Sequence, residues 1–165
     1  MRFALVDRIV ELEPGHRILA MKNLTMAEEY LADHFPGFPV MPGVLMLQAL
    51  TDASAWLIRV TDDFAQSIVV LKEAVNVKYG QFVEPGQTLL VGAEIQSRTE
   101  GETKVKARGT VDGRLTVMAK LVLAHYSLAD RWPQAAERDE QIREGLRCDW
   151  ARVRGVEPLA EVPHL

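Results

Sequence analysis

The segment Gly43–Val60 constrains the fold more than any other part of the chain. After Gly43 it contains no helix breaker. Val44, Leu45, Met46, Leu47, Ala49, Leu50, Ala53, Ala55, Trp56, Leu57 and Ile58 make it apolar on almost every side. A helix that is apolar all round is buried rather than laid on a surface. It also falls short of the ~20 residues that a membrane span requires. Something must enclose it, and a curved sheet can do so. One narrow polar stripe interrupts the apolar surface: Gln48, Asp52 and Arg59, flanked by Thr51. Gln48 and Asp52 stand at i and i+4, so their side chains share a face.

The rest of the chain supplies the sheet. Asp7–Leu12 and His16–Leu24 read as a hairpin around Pro14-Gly15. Ser67–Tyr79, Gln87–Arg98, Lys104–Val111 and Leu115–Tyr126 read as strands, and Asp112-Gly113 is a strong hairpin turn. Alternation places Leu89, Val91, Ala93 and Ile95 on one face, and likewise Leu115, Val117, Ala119, Leu121 and Leu123. Before the long helix, Thr25 with Glu28 three residues on predicts a capping box and a short helix over Met26–Leu31. In the mixed-charge tail, Pro133 can open a helix, and Ile142, Leu146, Trp150 and Val153 recur at helical spacing. An amphipathic helix packed on the body is expected there, then a loose end through Pro158 and Pro163. The expected class is α+β, a curved antiparallel sheet wrapped around one long central helix with a C-terminal helical extension. The expected division is residues 1–126 for the body and 127–165 for the extension.

Composition narrows function by exclusion. A chain of 165 residues is one domain's length. Nineteen basic residues against 23 acidic give a net charge of −4, which supplies no basic footprint for nucleic acid. The lone Cys148 offers no intramolecular disulfide and no zinc signature, so no metal is expected. Met1–Val10 carries Arg2, Asp7 and Arg8 and does not read as a secretion signal. A reducing, cytoplasmic setting without membrane insertion is the expectation.

Chemistry concentrates in His34-Phe35-Pro36-Gly37-Phe38-Pro39-Val40-Met41-Pro42-Gly43. Three prolines and two glycines in these ten residues fix an irregular loop. Pro42 sits where a first helical residue is favoured. His34 is a candidate general base. Free backbone N–H groups at the helix start near Gly43 can hold a carbonyl oxygen or oxyanion. Read from the residues alone, a turn-capping histidine in a tight connection is the commoner outcome.

The stretch from His34 to Leu45 resembles the signature of the FabZ-type 3-hydroxyacyl-acyl carrier protein dehydratases, with FabA as a cousin. Leu5–Val10, Met21-Lys22-Asn23, Phe82–Leu89 and Val111-Asp112-Gly113 extend the likeness, so it spans residues 3–126. The resemblance implies a hotdog fold and no organic cofactor. It implies a homodimer with sites at the interface, often built into a trimer of dimers. The partner it implies is an acyl carrier protein bearing a phosphopantetheine-linked acyl chain. Removal of water from the 3-hydroxyacyl thioester would give the trans-2-enoyl product. The family's histidine matches His34, and its carbonyl-polarising amide matches Gly43. Phe38, Pro42 and Trp56 are further candidates for the substrate-binding surface.

One position departs from the pattern. The family places a carboxylic acid, followed by Ala, on the central helix; this chain has Gln48-Ala49. Glutamine has no carboxylic proton to give. Three readings stay open. His34 could move both protons while Gln48 positions the hydroxyl. Asp52, where the family has Gln, could supply the carboxyl. Or the protein binds an acyl chain without turnover, or cleaves the thioester. His16, His125, His164 and Cys148 weigh less, as solvated or packing residues.

Overall fold

The computed structural model describes residues 5–35 and 37–155. His164, Pro158, Pro163, Arg2 and Pro36 lie outside the described residues. The described residues form one antiparallel sheet of six strands: β1 (Arg8–Glu13), β2 (Arg17–Asn23), β3 (Ile68–Tyr79), β4 (Thr88–Arg98), β5 (Glu102–Val111) and β6 (Arg114–Tyr126). Their order is β1-β2-β4-β5-β6-β3, so β1 and β3 are the edges. Helix α1 (Gly43–Thr61) packs across β2 through β6. Ala49, Leu50, Ala53, Ser54, Leu57 and Ile58 of α1 are fully buried.

The sheet's inner face shows how α1 comes so close. Ala93, Ala107 and Ala119 are cross-strand partners on β4, β5 and β6, a row of small residues flanked by Val91, Val105 and Leu121. Such a row forms a trough, and packing at crystal-like density leaves no room for a larger side chain there. Hydroxyls inside this apolar helix return to their own backbone: Ser54 Oγ donates to Leu50 O at 2.7 Å and Thr51 Oγ1 to Leu47 O at 3.1 Å.

Local structure departs from the sequence reading in four places. Leu115 is 39% exposed, while Thr116 and Val117 are both buried. A bulge opposite Gly109–Thr110 inserts one residue and turns Leu115 to the outer face. The expected helix over Met26–Leu31 is a 3₁₀ turn, Glu29–Leu31. Thr25 Oγ1 accepts from the Ala27 N–H at 3.3 Å, but Glu28 does not complete the capping box, because it pairs with Lys22 instead. Pro42 is the residue before α1, with Gly43 first inside it. Pro133 opens a 3₁₀ turn, Pro133–Ala135, rather than the tail helix itself.

The tail forms α2 (Leu128–Arg131) and α3 (Ala136–Val153). Leu146, Trp150 and Val153 of α3 pack on the core. Trp150 lies 5.8 Å from Trp56 and 6.4 Å from Phe64, ring centre to ring centre. Asp139 is completely buried. It accepts hydrogen bonds from Ser67 Oγ, from Ser127 Oγ at 2.6 Å and from the Leu128 N–H at 2.7 Å. Burial pushes its carboxyl up, but those bonds and the nearby Arg143 prevail and hold it below the usual carboxylate range. No helix among the described residues is long and apolar enough to cross a membrane.

Candidate active site

The loop carrying His34 is anchored from the sheet. Lys22 of β2 is buried and pairs with Asp7 at 3.2 Å and Glu28 at 2.8 Å. Burial disfavours the charge on Lys22, but the two carboxylates prevail and raise its pKa. Leu31 is buried and Tyr30 packs against the core. Burial pushes the Tyr30 phenol well above its ordinary value, helped by Glu28 and Asp7. The His34 N–H then donates to Tyr30 O at 3.1 Å.

Phe35 takes the left-handed region, φ 51°, which costs a residue with a Cβ on the order of 1 kcal/mol. Its carbonyl closes the next turn by accepting from the Phe38 N–H at 2.7 Å. This geometry sets the Phe35 ring 4.3 Å from the imidazole. His34 is half-buried, and among the described residues its ring nitrogens have no hydrogen-bond partner. A base that must take a proton from a ligand needs a ring nitrogen left open in this way.

Val40, Met41 and Pro42 are buried, and the Met41 N–H donates to Val83 O at 2.9 Å, which fixes where α1 begins. The Leu45 and Met46 N–H groups turn back to Pro42 O, while those of Gly43 and Val44 have no backbone acceptor within the helix. No acidic residue occupies the first turn, so the partial positive charge of the helix start is unopposed. A Cβ at Gly43 would stand 3.1 Å from Tyr79 Cε1, close enough that the half-exposed ring would have to shift by a few tenths of an ångström. Phe38 and Phe82 meet edge to face at 5.5 Å, and both are about half exposed.

On α1, Gln48 is exposed and Asp52 half-buried. Gln48 Nε2 donates to Asp52 Oδ1 at 2.7 Å. The Leu5 N–H faces the Asp52 carboxylate from the start of the described chain. Burial pushes the Asp52 carboxyl up and outweighs the opposing pull of Gln48, Arg59 and the Leu5 N–H. Trp56 is buried between Arg59, 5.4 Å above its ring, and Trp150. The structure thus joins Gln48 to Asp52, Phe38 to Phe82 and Gly43 to Tyr79, and sets Trp56 under the tail. Tyr79, Phe82 and the Leu5 N–H carry no spacing signal in the sequence, because each arrives from a distant element.

The remaining histidines fall elsewhere. His16 is exposed and pairs with Glu13 at 2.9 Å. His125 is buried with Nε2 3.0 Å from Thr103 Oγ1, and burial lowers its pKa. Cys148 is exposed on α3.

Comparison with known proteins follows the same outline. Residues 1–120 match the FabA-like domain family. The 3-hydroxyacyl-[acyl-carrier-protein] dehydratase FabZ of Ruminiclostridium cellulolyticum is 36% identical over 122 residues, covering 74% of this chain and 86% of that protein. The protein of that name from Janthinobacterium sp. is 39% identical over 138 residues, covering 81% and 87%. Among solved structures, a chain of the dehydratase heterocomplex ApeI:P from Xenorhabdus doucetiae superposes with a TM-score of 0.65 at 12% identity, over 81% of this chain and 90% of that one. At that identity the likeness speaks for the fold, which is the hotdog fold. The chain belongs to the FabA-like family and, within it, is similar to the FabZ dehydratases.

Proposed function

We propose that this chain is a cytoplasmic 3-hydroxyacyl-acyl carrier protein dehydratase of fatty-acid biosynthesis in which Gln48, backed by Asp52, replaces the usual acid. The observation that carries the reading is the open His34 imidazole on the loop that feeds the unopposed helix start at Gly43.

The thioester carbonyl accepts from the Gly43 N–H, which stabilises negative charge as it develops on that oxygen. His34 takes a proton from C2. The C2–C3 double bond forms as the C3–O bond breaks, and the departing hydroxide takes the proton from His34, leaving as water. Gln48 holds the C3 hydroxyl in line. Asp52 does not meet substrate in this scheme. Its Oδ1 already accepts from the Gln48 amide, so it positions Gln48. Pro42 shapes the entry to the helix start, while Phe38 with Phe82 gives an apolar wall for the acyl chain. Trp56, covered by Trp150, lies at the other end of α1 and closes it.

The working unit in this proposal is a homodimer. Strand β3 is a long edge strand, and Val70, Leu71, Val75 and Tyr79 are exposed along it. A long apolar edge is a template for further pairing. Two copies of one strand pair antiparallel about a two-fold axis, a self-complementary contact. Val44, 70% exposed and one turn before Gln48, continues the apolar surface onto α1. Burying it would bring Gln48 of one copy to the other copy's surface.

Turnover of a 3-hydroxyacyl-acyl carrier protein decides the reading. Formation of the enoyl product by wild type, reduced at least a hundredfold in His34→Ala, supports it. Binding of the acyl carrier without turnover would instead make this a carrier-binding protein, and free thiol release a thioesterase.

A further inference from the structure

We propose that the Tyr79 hydroxyl is a second hydrogen-bond donor to the thioester carbonyl, beside the Gly43 N–H. The inference rests on the dehydratase reading above, which sets that carbonyl at the start of α1, and it adds a catalytic residue from β3.

An irregularity in β3 brings Tyr79 to that place. Val75 pairs with Lys120 and Lys78 with Met118, so three steps along β3 meet two along β6. The inserted residue makes a bulge, and Asn76 takes the left-handed region within it, φ 55°. Asparagine tolerates that region better than most residues. A slip of one residue exchanges the faces of all that follow. Without the bulge Lys78 would stand opposite Val117; with it Tyr79 does. Val117 is fully buried on the inner face, so Tyr79 is the residue turned toward α1. The backbone just beyond is fixed as well. The Gly80 N–H donates to Thr116 O at 2.8 Å and the Gln81 N–H to Leu115 O at 3.3 Å. A Cβ on Gly80 would collide with Leu115 O, so glycine is what lets β3 close on β6 here.

The Tyr79 ring then lies along Gly43. The place a Gly43 Cβ would take is 3.1 Å from Cε1, 3.3 Å from Cζ and 3.4 Å from Cδ1. Cζ bears the hydroxyl, so the phenol oxygen is one bond from this contact. Tyr79 is 49% exposed, and among the described residues its hydroxyl has no hydrogen-bond partner. A phenol O–H can donate. It stands at the helix start where the Gly43 and Val44 N–H groups also lack an acceptor within the helix. As C2 loses its proton, negative charge gathers on the thioester oxygen. A donor held in place beforehand favours that state over the ground state. The ring by itself would only wall the helix start, a task phenylalanine would share, so the decisive change removes the hydroxyl alone.

Tyr79→Phe keeps the ring on Gly43, so thermal melting and light scattering should match wild type. With a 3-hydroxyacyl-acyl carrier protein, kcat should fall about a hundredfold and KM change little, as when one such donor is deleted. Isotope-edited infrared spectroscopy gives the second readout. The carbonyl stretch of a bound trans-2-enoyl pantetheine thioester, carbon-13 labelled at the carbonyl, should move to higher frequency in Tyr79→Phe, because losing a hydrogen bond strengthens the C=O bond. Unchanged kcat in Tyr79→Phe overturns the inference and leaves the dehydratase reading standing. A fall in kcat with the stretch unmoved, or one that comes only with loss of the wild-type assembly state, overturns it too. Wild type without turnover overturns the dehydratase reading, and the stretch then decides alone whether Tyr79 reaches a bound thioester. A wild type that does not bind the thioester overturns both.

Discussion

The two ends of α1 differ in how they are finished. Around its C-terminal half the chain supplies its own cover: α3 lays Trp150 over Trp56 and Phe64, and a buried Asp139 ties Ser67, Ser127 and Leu128 together. Around its N-terminal end the described residues lay down nothing comparable. Phe35, Phe82 and Val44 are more than half exposed, and β3 runs beside them as a sheet edge. In the proposed homodimer, the apolar surface left at that second end is what the other copy would cover. The candidate chemistry of His34 and Gly43 sits at that open end.

The largest expected effect comes from spoiling the open end. Leu71→Lys combined with Val75→Lys places charge on the exposed β3 edge, where Leu71 is 36% and Val75 38% exposed. The pair should leave the monomer folded, since lysines blunt edge strands without entering the core. Light scattering should show a monomer, and turnover should fall by about three orders of magnitude, some 4 kcal/mol of barrier. A monomer that retains full activity would refute the shared site.

The next effect strikes the sealed end. Asp139→Ala leaves the Ser67 and Ser127 hydroxyls and the Leu128 N–H without their common acceptor, and should cost about 3 kcal/mol. Thermal melting measures the loss, and tryptophan emission from Trp56 and Trp150 reports whether α3 has lifted. The same carboxyl sets a pH dependence. Held below the usual range in the folded chain, it returns to about 3.9 on unfolding. Its contribution is therefore complete above that value and is lost as pH falls through the lower, folded one. Melting curves from pH 5 to pH 2 should steepen in wild type relative to Asp139→Ala.

The same contrast marks where the sequence is readable. α1 was legible because its apolar positions leave only one narrow polar stripe, and the strands because Pro-Gly and Asp-Gly turns bracket period-two runs. Leu115 escaped, since a bulge shifts the alternation by one residue and no residue type announces it. The His34 loop stood out through its proline and glycine density, and the resemblance gave it a role. Asp139 did not stand out. In a mixed-charge helix one aspartate reads like its neighbours, and its partners Ser67 and Ser127 are 72 and 12 residues away in sequence. The cover over Trp56 was hidden for the same reason: the stripe on α1 was visible, but Trp150 reaches Trp56 and its neighbour Arg59 only through the fold.

The smallest of these effects probes the open end most finely. By the resemblance drawn from the sequence, Gln48 and Asp52 would stand in the reverse of the family's order, and two substitutions would undo that exchange. Gln48→Glu alone sets a second carboxylate where the amide now donates at 2.7 Å. Two carboxylates so close share one proton, and the pair titrates together with its upper pKa raised. Any gain in turnover should hold below that upper value and vanish above it, where both groups ionise and repel. Adding Asp52→Gln replaces the inner carboxylate by an amide that can donate to the introduced carboxyl or accept from it. The double variant should therefore keep its gain to higher pH, and kcat should rise on the order of tenfold, because the new acid relieves His34 of the second proton transfer. A double variant no faster than wild type across the pH range would mean that His34 alone already meets the demand for acid, and that the open end lost nothing when its carboxylate moved one turn inward.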